Sequence, residues 1–312
     1  ATRTIQLPGN FEKIRGTQAR NINNGQVVNR VTLSAQDGVV LLSPLREVLN
    51  TTYLNGAFTK VVNKSGTTSR NSFFTFDERF SANQNILKLD LSGNGRLESI
   101  VANDSSISIY SDNGALTQRF FPYGRSYASG INFIVTDLQN DGFKEIITGT
   151  RRGGGPHIRI FSSSGRLLNP GWFAYGKNFR GGVNIAAGDL DGDGVKEIIA
   201  GAGFGGGPHI RIFDKNGKFT QDEFFAYNAG FRGGSFVASG DINGDGIDEI
   251  ITGAGNSGGP HVRVWNKSGS MISEFFAFSA RSNKGVRVGV IDLDGDRIDE
   301  IITMTNDFSL FR

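Results

Sequence analysis

A nine-residue acidic motif that occurs three times constrains this chain more than any other feature. The copies run from Asp189 to Glu197, from Asp241 to Glu249 and from Asp292 to Glu300. Positions 1, 3, 5 and 9 carry side-chain oxygens, and position 7 can add a backbone carbonyl. A hard cation such as calcium takes about 6–8 oxygen ligands, and glycines within the motif allow a tight curl around it. Each copy is therefore predicted to be a calcium loop.

The candidate ligands follow from their positions in the motif. The three strong loops give Asp189, Asp191, Asp193, Val195 and Glu197; Asp241, Asn243, Asp245, Ile247 and Glu249; and Asp292, Asp294, Asp296, Ile298 and Glu300. Two weaker loops give Asp137, Gln139, Asp141, Phe143 and Glu145; and Asp90, Ser92, Asn94, Arg96 and Glu98. Gln139, Ser92 and Asn94 supply no charge, so calcium occupancy is expected to be graded. Arg297 replaces a glycine where left-handed backbone would cost about 1 kcal/mol.

The motif belongs to a larger repeat, since its first aspartates recur at intervals of 47–52 residues. Apolar runs flank each loop, and an alternating segment such as His209 to Phe213 then predicts a strand. A turn such as Asn216-Gly217 and an aromatic run such as Phe224 to Tyr227 complete the unit. Four strands in about 50 residues are typical of a propeller blade. The sequence therefore predicts an all-β fold, a β-propeller of four-stranded blades with ~52-residue repeats.

The number of blades depends on how the two ends of the chain are assigned. Thr59 to Asn63 and Phe73 to Phe76 fit the third and fourth strands of the earliest blade, with residues 31–42 as its first hairpin. The last blade lacks its fourth strand, so Thr2 to Leu7 are expected to close the ring by strand exchange between the termini. This assignment predicts six blades. Five or seven remain open because residues 8–30 fit no repeat clearly.

The tandem motif Asp-x-[Asp/Asn]-Gly-Asp-Gly-x-x-Glu, followed by Ile-Ile-x-Gly, resembles the FG-GAP or VCBS repeat. This repeat is the calcium-loop propeller unit of integrin alpha-chain heads and of many bacterial surface and secreted proteins. The resemblance covers roughly residues 57–312. It implies that each loop joins the first two strands of a blade and binds calcium. It also implies ligand roles for Asp189, Asp191, Asp193 and Glu197 and for their equivalents.

A fainter resemblance concerns residues 1–43. The segment from Asn23 to Leu42 looks like the strand pair that ends some glycoside-hydrolase-like barrels. On that alternative, the chain is the tail of a larger protein whose catalytic barrel is absent. We therefore expect an N-terminal segment at residues 1–30, either a closing strand or the remnant of an upstream domain, followed by the propeller at residues 31–312.

The face opposite the calcium loops is a second candidate site, because successive connections in a blade alternate sides. Gly-Gly-Pro-His and Arg-Gly-Gly segments place His157, Arg180, His209, Arg232 and His261 there. Backbone donors beside Arg and His suit an anionic or polyhydroxylated ligand. We favour an architectural alternative, in which the histidines bond loop carbonyls and the arginines bridge blades. Aromatic doublets such as Phe224-Phe225 are expected in the packing between blades.

Composition narrows the classes of function. The chain has no cysteine, which excludes a disulfide scaffold and a cysteine-ligated metal. Its net charge is +3 with scattered Lys and Arg, so nucleic acid is not an expected partner. No apolar run approaches the ~20 residues of a membrane helix, so no membrane insertion is expected. Because the sequence begins at Ala1, we expect a processed product or part of a longer chain.

These observations predict an adhesion, binding or surface-structural module and not an enzyme, since the motif supplies neither open metal coordination nor a nearby acid or base. Calcium fills loops of this kind at extracellular millimolar concentrations, so the chain is expected to be secreted or at the cell surface. The expected partner is a protein or glycan there, with self-association also open. The alternatives are a carbohydrate-binding accessory domain of a larger glycoside hydrolase and a subunit of a surface filament or layer.

Overall fold

Two compact units, Ala1–Leu49 and Asn50–Arg312, make up the chain. The computed structural model describes residues 3–16, 27–33, 39–42, 58–62, 68–74, 85–292 and 295–305. Every helix or strand assigned within these ranges is a β-strand. No helix capable of spanning a membrane is found in them.

The first unit contains β1 (Arg3–Gly16), β2 (Val27–Leu33) and β3 (Val39–Leu42), which form an antiparallel sheet in the order β2-β1-β3. The long β1 pairs with β2 along its first part and with β3 along its second. The predictions of a closing strand at Thr2 to Leu7 and of a blade hairpin at residues 31–42 are therefore wrong. Period-2 alternation identifies a strand but does not specify which sheet the strand joins.

In its described residues the second unit contains five four-stranded antiparallel sheets, the blades of a propeller. Blade 1 contains β6 (Asn85–Leu89), β7 (Glu98–Ala102), β8 (Ile107–Tyr110) and β9 (Leu116–Phe120). Blade 2 contains β10 (Ile131–Thr136), β11 (Glu145–Thr150), β12 (His157–Ser162) and β13 (Leu167–Phe173). Blade 3 contains β14 (Val183–Gly188), β15 (Glu197–Ala202), β16 (His209–Phe213) and β17 (Phe219–Phe225). Blade 4 contains β18 (Ser235–Gly240), β19 (Glu249–Ala254), β20 (His261–Trp265) and β21 (Met271–Phe276).

Blade 5 is built from both ends of this unit. Its order is β22 (Arg287–Ile291), β23 (Glu300–Thr305), β4 (Phe58–Val62) and β5 (Thr68–Phe74). The strands predicted near residues 59–63 and 73–76 thus do occupy third and fourth positions of a blade, but their partners are the C-terminal strands. The described ranges contain five four-stranded sheets where the sequence predicted six blades, because the expected extra hairpin pairs within the first unit.

The core of the second unit is centred on the second strand of each blade. Every residue of β11, β15 and β19 is buried, because each of these strands has a hydrogen-bonded neighbour on both sides and lies between adjacent blades. Ile146, Ile198 and Ile250 are wholly inaccessible. Burial of a side chain of this size contributes about 1.5–3 kcal/mol. In blades 2, 3 and 4 the fully buried strand therefore begins at the last residue of the acidic loop.

Candidate metal centre

The loop from Asp189 to Glu197 joins β14 to β15, the first two strands of blade 3. The Asp189 carboxylate lies inside the turn: Oδ1 accepts the N–H of Gly192 at 2.8 Å and of Asp193 at 3.1 Å, and Oδ2 accepts the N–H of Gly194 at 2.8 Å. Gly192 and Gly194 have φ values of 77° and 84°, in the left-handed region that favours glycine. One side chain and two glycines therefore fix the curl of the loop.

Three carboxylates converge in this loop. Asp189, Asp191 and Asp193 each offer an oxygen, and these oxygens lie within 4.8 Å of one another. No other group of three acidic, histidine or cysteine side chains converges in this way in the described part of the chain. Asp191 and Asp193 are exposed. Like charges this close repel, and a cation bound among them would remove the repulsion. The donors are all oxygens, which is the set that calcium prefers.

The ninth residue is anchored by one of its two oxygens. Oε2 of Glu197 accepts the N–H of Leu190 at 3.0 Å. The same bond recurs in three other loops, in the pairs Glu98–Leu91 (2.9 Å), Glu145–Leu138 (3.0 Å) and Glu249–Ile242 (3.1 Å). Burial raises the pKa of Glu197, and the nearby Asp191 charge acts in the same direction. The other carboxylate oxygen, Oε1, contacts Lys267 in this loop, Ser92 in the loop at Asp90 and Asn243 in the loop at Asp241.

A lysine from the next blade contacts the same loop. Lys267 lies in the turn between β20 and β21, and its Nζ is 2.7 Å from Asp191 Oδ2 and 3.3 Å from Glu197 Oε1. Its hydrogen bond lowers the pKa of Asp191, and the two carboxylates raise the pKa of Lys267 although burial opposes them. The sequence analysis missed Lys267, because a contact between residues 76 positions apart depends on how blades pack.

The loop at Asp241 has the same backbone hydrogen bonds but a different residue, Asn243, at position 3. Oδ1 of Asp241 accepts the N–H of Gly244 at 2.6 Å, and Oδ2 accepts the N–H of Gly246 at 2.8 Å. The Asn243 side-chain amide donates to Glu249 Oε1. An amide here supplies an oxygen without a charge, so the candidate ligands of this loop carry one negative charge fewer than those of the loop at Asp189.

The two weaker loops are curled in the same manner. Oδ1 of Asp90 accepts the N–H of Gly93 at 2.7 Å, and Oδ2 accepts the N–H of Gly95 at 2.7 Å. Oδ2 of Asp137 accepts the N–H of Gly142 at 2.8 Å. Ser92 Oγ donates to Glu98 Oε1 at 3.2 Å. The curl therefore depends on the first aspartate and the glycines, while the charge of the loop depends on positions 3 and 5.

In the loop at Asp292, Arg297 has a φ of 70°, which confirms the predicted left-handed conformation at a non-glycine residue. Its N–H donates to Asp292 Oδ2 at 3.2 Å. Asp294, the predicted ligand at position 3, lies outside the described residues. In all five loops the N–H at position 7 donates to the side chain at position 5, in the pairs Arg96–Asn94, Phe143–Asp141, Val195–Asp193, Ile247–Asp245 and Ile298–Asp296.

Neighbouring loops are joined through the residue at position 8, another feature that sequence reasoning missed. Asp248 accepts the N–H of Asp189 at 2.9 Å and pairs with Lys196 at 3.5 Å. The backbone repeats the link, since the N–H of Asp248 donates to the Asp189 carbonyl at 2.8 Å and that of Asp299 to the Asp241 carbonyl at 2.7 Å. Burial and the nearby Asp248 charge raise the pKa of Asp299 to about 6. The sequence signal for this link was the charged residue that recurs at position 8 of the loops.

On the opposite face, the histidines begin the third strands and are held by neighbouring groups. The Tyr175 hydroxyl donates to the His209 carbonyl at 2.7 Å, so blade 2 is tied to blade 3. His209 Nε2 and Arg211 Nε lie 3.0 and 2.7 Å from Glu223 Oε2. Burial and the Arg211 charge lower the pKa of His209, although Glu223 opposes this. The equivalent contacts recur around His261, which lies 3.0 Å from Glu274.

The arginines of the Arg-Gly-Gly segments bond their own turns. Nη1 of Arg180 donates to the Lys177 carbonyl at 2.7 Å, and Nη1 of Arg232 donates to the Ala229 carbonyl at 2.6 Å. The bridge between blades is formed instead by the arginine two residues after each histidine. Nη1 of Arg211 donates to the Ala174 carbonyl of blade 2 at 3.1 Å.

The aromatic doublets divide their two rings between core and surface. Phe224 is partly buried and packs against the core of blades 3 and 4. Phe225 is 52% exposed and stacks on His209 with ring centroids 4.8 Å apart. The prediction that the doublets form packing between blades therefore holds for the first ring, and the second ring lies at the surface.

Residues 137–200 and 241–303 match the FG-GAP-like repeat family. No curated protein matches the sequence. Among solved structures, the rhamnogalacturonan lyase YesW has 16% identity and a TM-score of 0.43 over 89% of this chain and 53% of its own. An Agrocybe aegerita lectin that recognises non-reducing terminal N-acetylglucosamine has 18% identity and a TM-score of 0.46 over 79% of this chain and 68% of its own. The V. cholerae biofilm matrix protein Bap1 has 18% identity and a TM-score of 0.39 over 71% of this chain and 34% of its own.

This chain spans about half the length of YesW, at 53%. Identities and TM-scores this low do not indicate a shared function. The repeat match is more informative, because its two stretches contain the loops that begin at Asp137, Asp189, Asp241 and Asp292. Those stretches lie in four-stranded antiparallel sheets whose first two strands are joined by the acidic loop. The chain contains FG-GAP-like repeats at residues 137–200 and 241–303, within a second unit that has a β-propeller fold.

Proposed function

We propose that this chain is a calcium-stabilised, non-catalytic binding module that works outside the cell. The observation that carries the proposal is the convergence of Asp189, Asp191 and Asp193 within 4.8 Å in a loop that is already curled. Loops with this all-oxygen donor set serve as calcium sites, and weak extracellular modules bind calcium with dissociation constants of about 0.1–1 mM. Extracellular calcium would therefore fill them.

The proposed role of calcium is structural. Position-8 residues already join loops of neighbouring blades, as Asp248 does with Asp189 and Lys196. A cation would neutralise the carboxylates that repel one another across these joints. The histidines opposite contact Tyr, Glu and Phe partners that suit a packing role. The proposed partner is a protein or glycan at the cell surface, with self-association as a further possibility, and nucleic acid and membrane insertion are not part of the proposal.

Thermal unfolding with calcium, with magnesium and with a chelator tests the role of the metal. We expect calcium to raise the melting temperature and magnesium to raise it less, because magnesium demands stricter octahedral geometry. At one hundred times the dissociation constant, each filled site adds about 2.7 kcal/mol to the free energy of unfolding. Superimposable melting curves in calcium and chelator would contradict the proposal.

A carbohydrate-binding surface is the second candidate, because one feature of the outer strands favours it. Phe173, Phe225 and Phe276, which we call the outer ledge, are 48%, 52% and 52% exposed. Each stacks on a histidine, with ring centroids 4.6, 4.8 and 4.5 Å apart. A held aromatic ring with exposed surface suits the apolar face of a sugar. Such a surface would fit an accessory domain of a larger glycoside hydrolase.

Glycan-array binding of the wild-type chain and of Phe225→Ala tests the outer ledge. Leu168→Ala is the matched control, since Leu168 is an exposed apolar residue at 42% on the fourth strand of blade 2. We expect Phe225→Ala to weaken a glycan signal that Leu168→Ala leaves intact. An array without any signal, or equal signals from all three proteins, would remove this second candidate.

A further inference from the structure

The first strands of blades 2, 3, 4 and 5 each carry a side chain at an equivalent position, where each pairs with an equivalent residue of the second strand. The cross-strand pairs are Asn132–Gly149, Asn184–Gly201, Phe236–Gly253 and Arg287–Met304. We call Asn132, Asn184, Phe236 and Arg287 the inner ring. They lie near the beginnings of the first strands, whereas the acidic loops follow the ends of those strands. The inner ring is therefore at the opposite end of these strands from the candidate calcium sites.

Members of the inner ring connect successive blades. Asn132 Nδ2 donates to the Val183 carbonyl at 2.9 Å, and Asn184 Nδ2 donates to the Ser235 carbonyl at 2.8 Å. At the next junction, the Arg287 guanidinium lies over the Phe236 ring, 4.6 Å from its centroid. Two members of the ring, Asn132 and Asn184, are thus amides that donate to the next blade, and the other two, Phe236 and Arg287, form a cation–π pair.

The charge of Arg287 lacks a counter-charge in the described part of the chain, where its guanidinium makes no hydrogen bond or ion pair. The surrounding protein lowers the pKa of Arg287 to about 10 through burial. The residue nevertheless keeps some accessible surface. Accessible surface within dense surroundings is expected of a side chain that projects into an internal channel. The Phe236 face attracts the cation but does not neutralise it, and an uncompensated charge in such a place is costly.

A second guanidinium shares this region. Arg151 follows β11, and its Nε donates to Asn132 Oδ1 at 3.0 Å. Its charge adds to the lowering of the Arg287 pKa, and burial lowers the pKa of Arg151 itself although the nearby Asp104 charge opposes this. The corresponding positions in blades 3 and 4 hold Gly203 and Gly255. The second cation is therefore specific to blade 2 and is not demanded by the repeat.

We propose that Arg287 and Arg151 form an anion-binding site within the inner ring, which takes a carboxylate group of a small ligand. A guanidinium offers two parallel N–H donors to a carboxylate, and bonds between charged groups are stronger where water is excluded. The Phe236 ring holds the Arg287 guanidinium plane in place. The site uses none of the loop carboxylates, so it does not depend on calcium.

Calorimetric titration with acetate, glucuronate and glucose at constant ionic strength, with and without calcium, tests the proposal. We expect saturable binding of glucuronate or acetate and none of glucose, since glucose lacks the carboxylate. Equal binding of acetate and glucuronate would show that the site reads the carboxylate alone, and tighter binding of glucuronate would show that the sugar is also recognised. Absence of saturable binding by either anion would overturn the proposal.

Variants assign any binding to the inner ring. Arg287→Gln is expected to weaken anion binding at least tenfold, whereas Arg166→Gln, at an exposed arginine in the turn between β12 and β13, should leave it unchanged. Without ligand, Arg287→Gln should melt at the same or a higher temperature, because it removes an uncompensated charge. Arg287→Lys keeps the charge but loses the paired donors, and it replaces the Gln variant if that protein fails to fold. Unchanged affinity in the position-287 variant would overturn the assignment.

Discussion

At the residue scale, the curl of each loop and its charge have separate origins. Asp90, Asp137, Asp189 and Asp241 all accept N–H groups from the loop that follows them, irrespective of how many carboxylates that loop contains. These contacts span three to five residues, and the sequence predicted the tight curl from its glycines but not these hydrogen bonds. The curl was predictable because it is local, whereas the contacts made by the charges reach across blades.

Asp193→Asn separates the two roles at a single residue. The amide keeps an oxygen that can accept the Val195 N–H, which now lies 2.7 Å from Asp193 Oδ1, and removes only the charge. In calcium we expect a loss of about 1–3 kcal/mol in the free energy of unfolding, because a cation ligand is weakened. In chelator we expect little change or a slight gain, because repulsion is relieved. Chemical denaturation in both buffers measures this, with Asp222→Asn on β17 as the control. Equal losses in both buffers would indicate a purely structural aspartate.

The histidines give a pH dependence whose sign can be derived. Burial lowers the pKa of His157 below 6.5, and the Arg159 charge lowers it further. An unfolded chain then binds more protons than the folded one, so this stabilisation is present above pH 6.5 and is lost as pH falls through the folded-state pKa. At the Glu223 position of the neighbouring blade, blade 2 has Gly171, so no carboxylate opposes the shift of His157. His157→Gln should flatten the melting temperature between pH 5 and 7 more than His209→Gln does. The reverse order would contradict this account.

At the scale of strands and turns, the strands inside the repeats were predicted correctly, and the errors lie in the pairing of the strands at the two ends of the repeat array. Blades 1 to 4 have their strands where the alternation and the turns placed them, because each blade pairs only with segments next to it in sequence. Blade 5 pairs Ile301 with Val62 across most of the chain. No local pattern specifies such a partner, and the alternation in β1 was an equally good candidate. The contact of Lys267 with the loop at Asp189 escaped prediction for the same reason.

Lys267→Met tests whether this turn competes with calcium. Its ammonium group now lies 2.7 Å from Asp191 Oδ2, where it occupies a carboxylate that the proposed metal would need. In chelator the variant should be slightly less stable, by about 0.2–1 kcal/mol, because an ion pair that is partly exposed is lost. Calcium should bind one site several-fold more tightly, because the competing cation is gone.

Calcium titration by calorimetry and melting curves in chelator supply the two measurements. Lys215→Met is the matched control, because Lys215 occupies the equivalent turn of blade 3, where position 3 of the facing loop is the uncharged Gln139. The control should alter neither calcium affinity nor stability to the same extent. If Lys267→Met weakens calcium binding, the lysine supports the loop and does not compete for it.

At the scale of the whole molecule, the second unit is held together by a sheet that contains both of its ends. β23 pairs with β4 over five residue pairs, from Ile301–Val62 to Thr305–Phe58. Without β4 and β5, β23 would present unpaired N–H and C=O groups along an edge, which invites pairing with another chain. The strand pairings found in blades 1 to 5 require no residue of the first unit. Stability of the propeller should therefore depend on residues 58–74 much more than on residues 1–49.

Two truncations test this difference. The fragment 50–312 retains β4 and β5 and should unfold cooperatively at a melting temperature close to that of the full chain. The fragment 75–312 lacks both strands and should either melt at a clearly lower temperature or associate, because the apolar face of blade 5 and the edge of β23 are uncovered. Differential scanning calorimetry and analytical ultracentrifugation supply the two measurements. If both fragments are equally unstable, residues 1–49 contribute to the propeller; if both are stable, the pairing of β23 with β4 is dispensable.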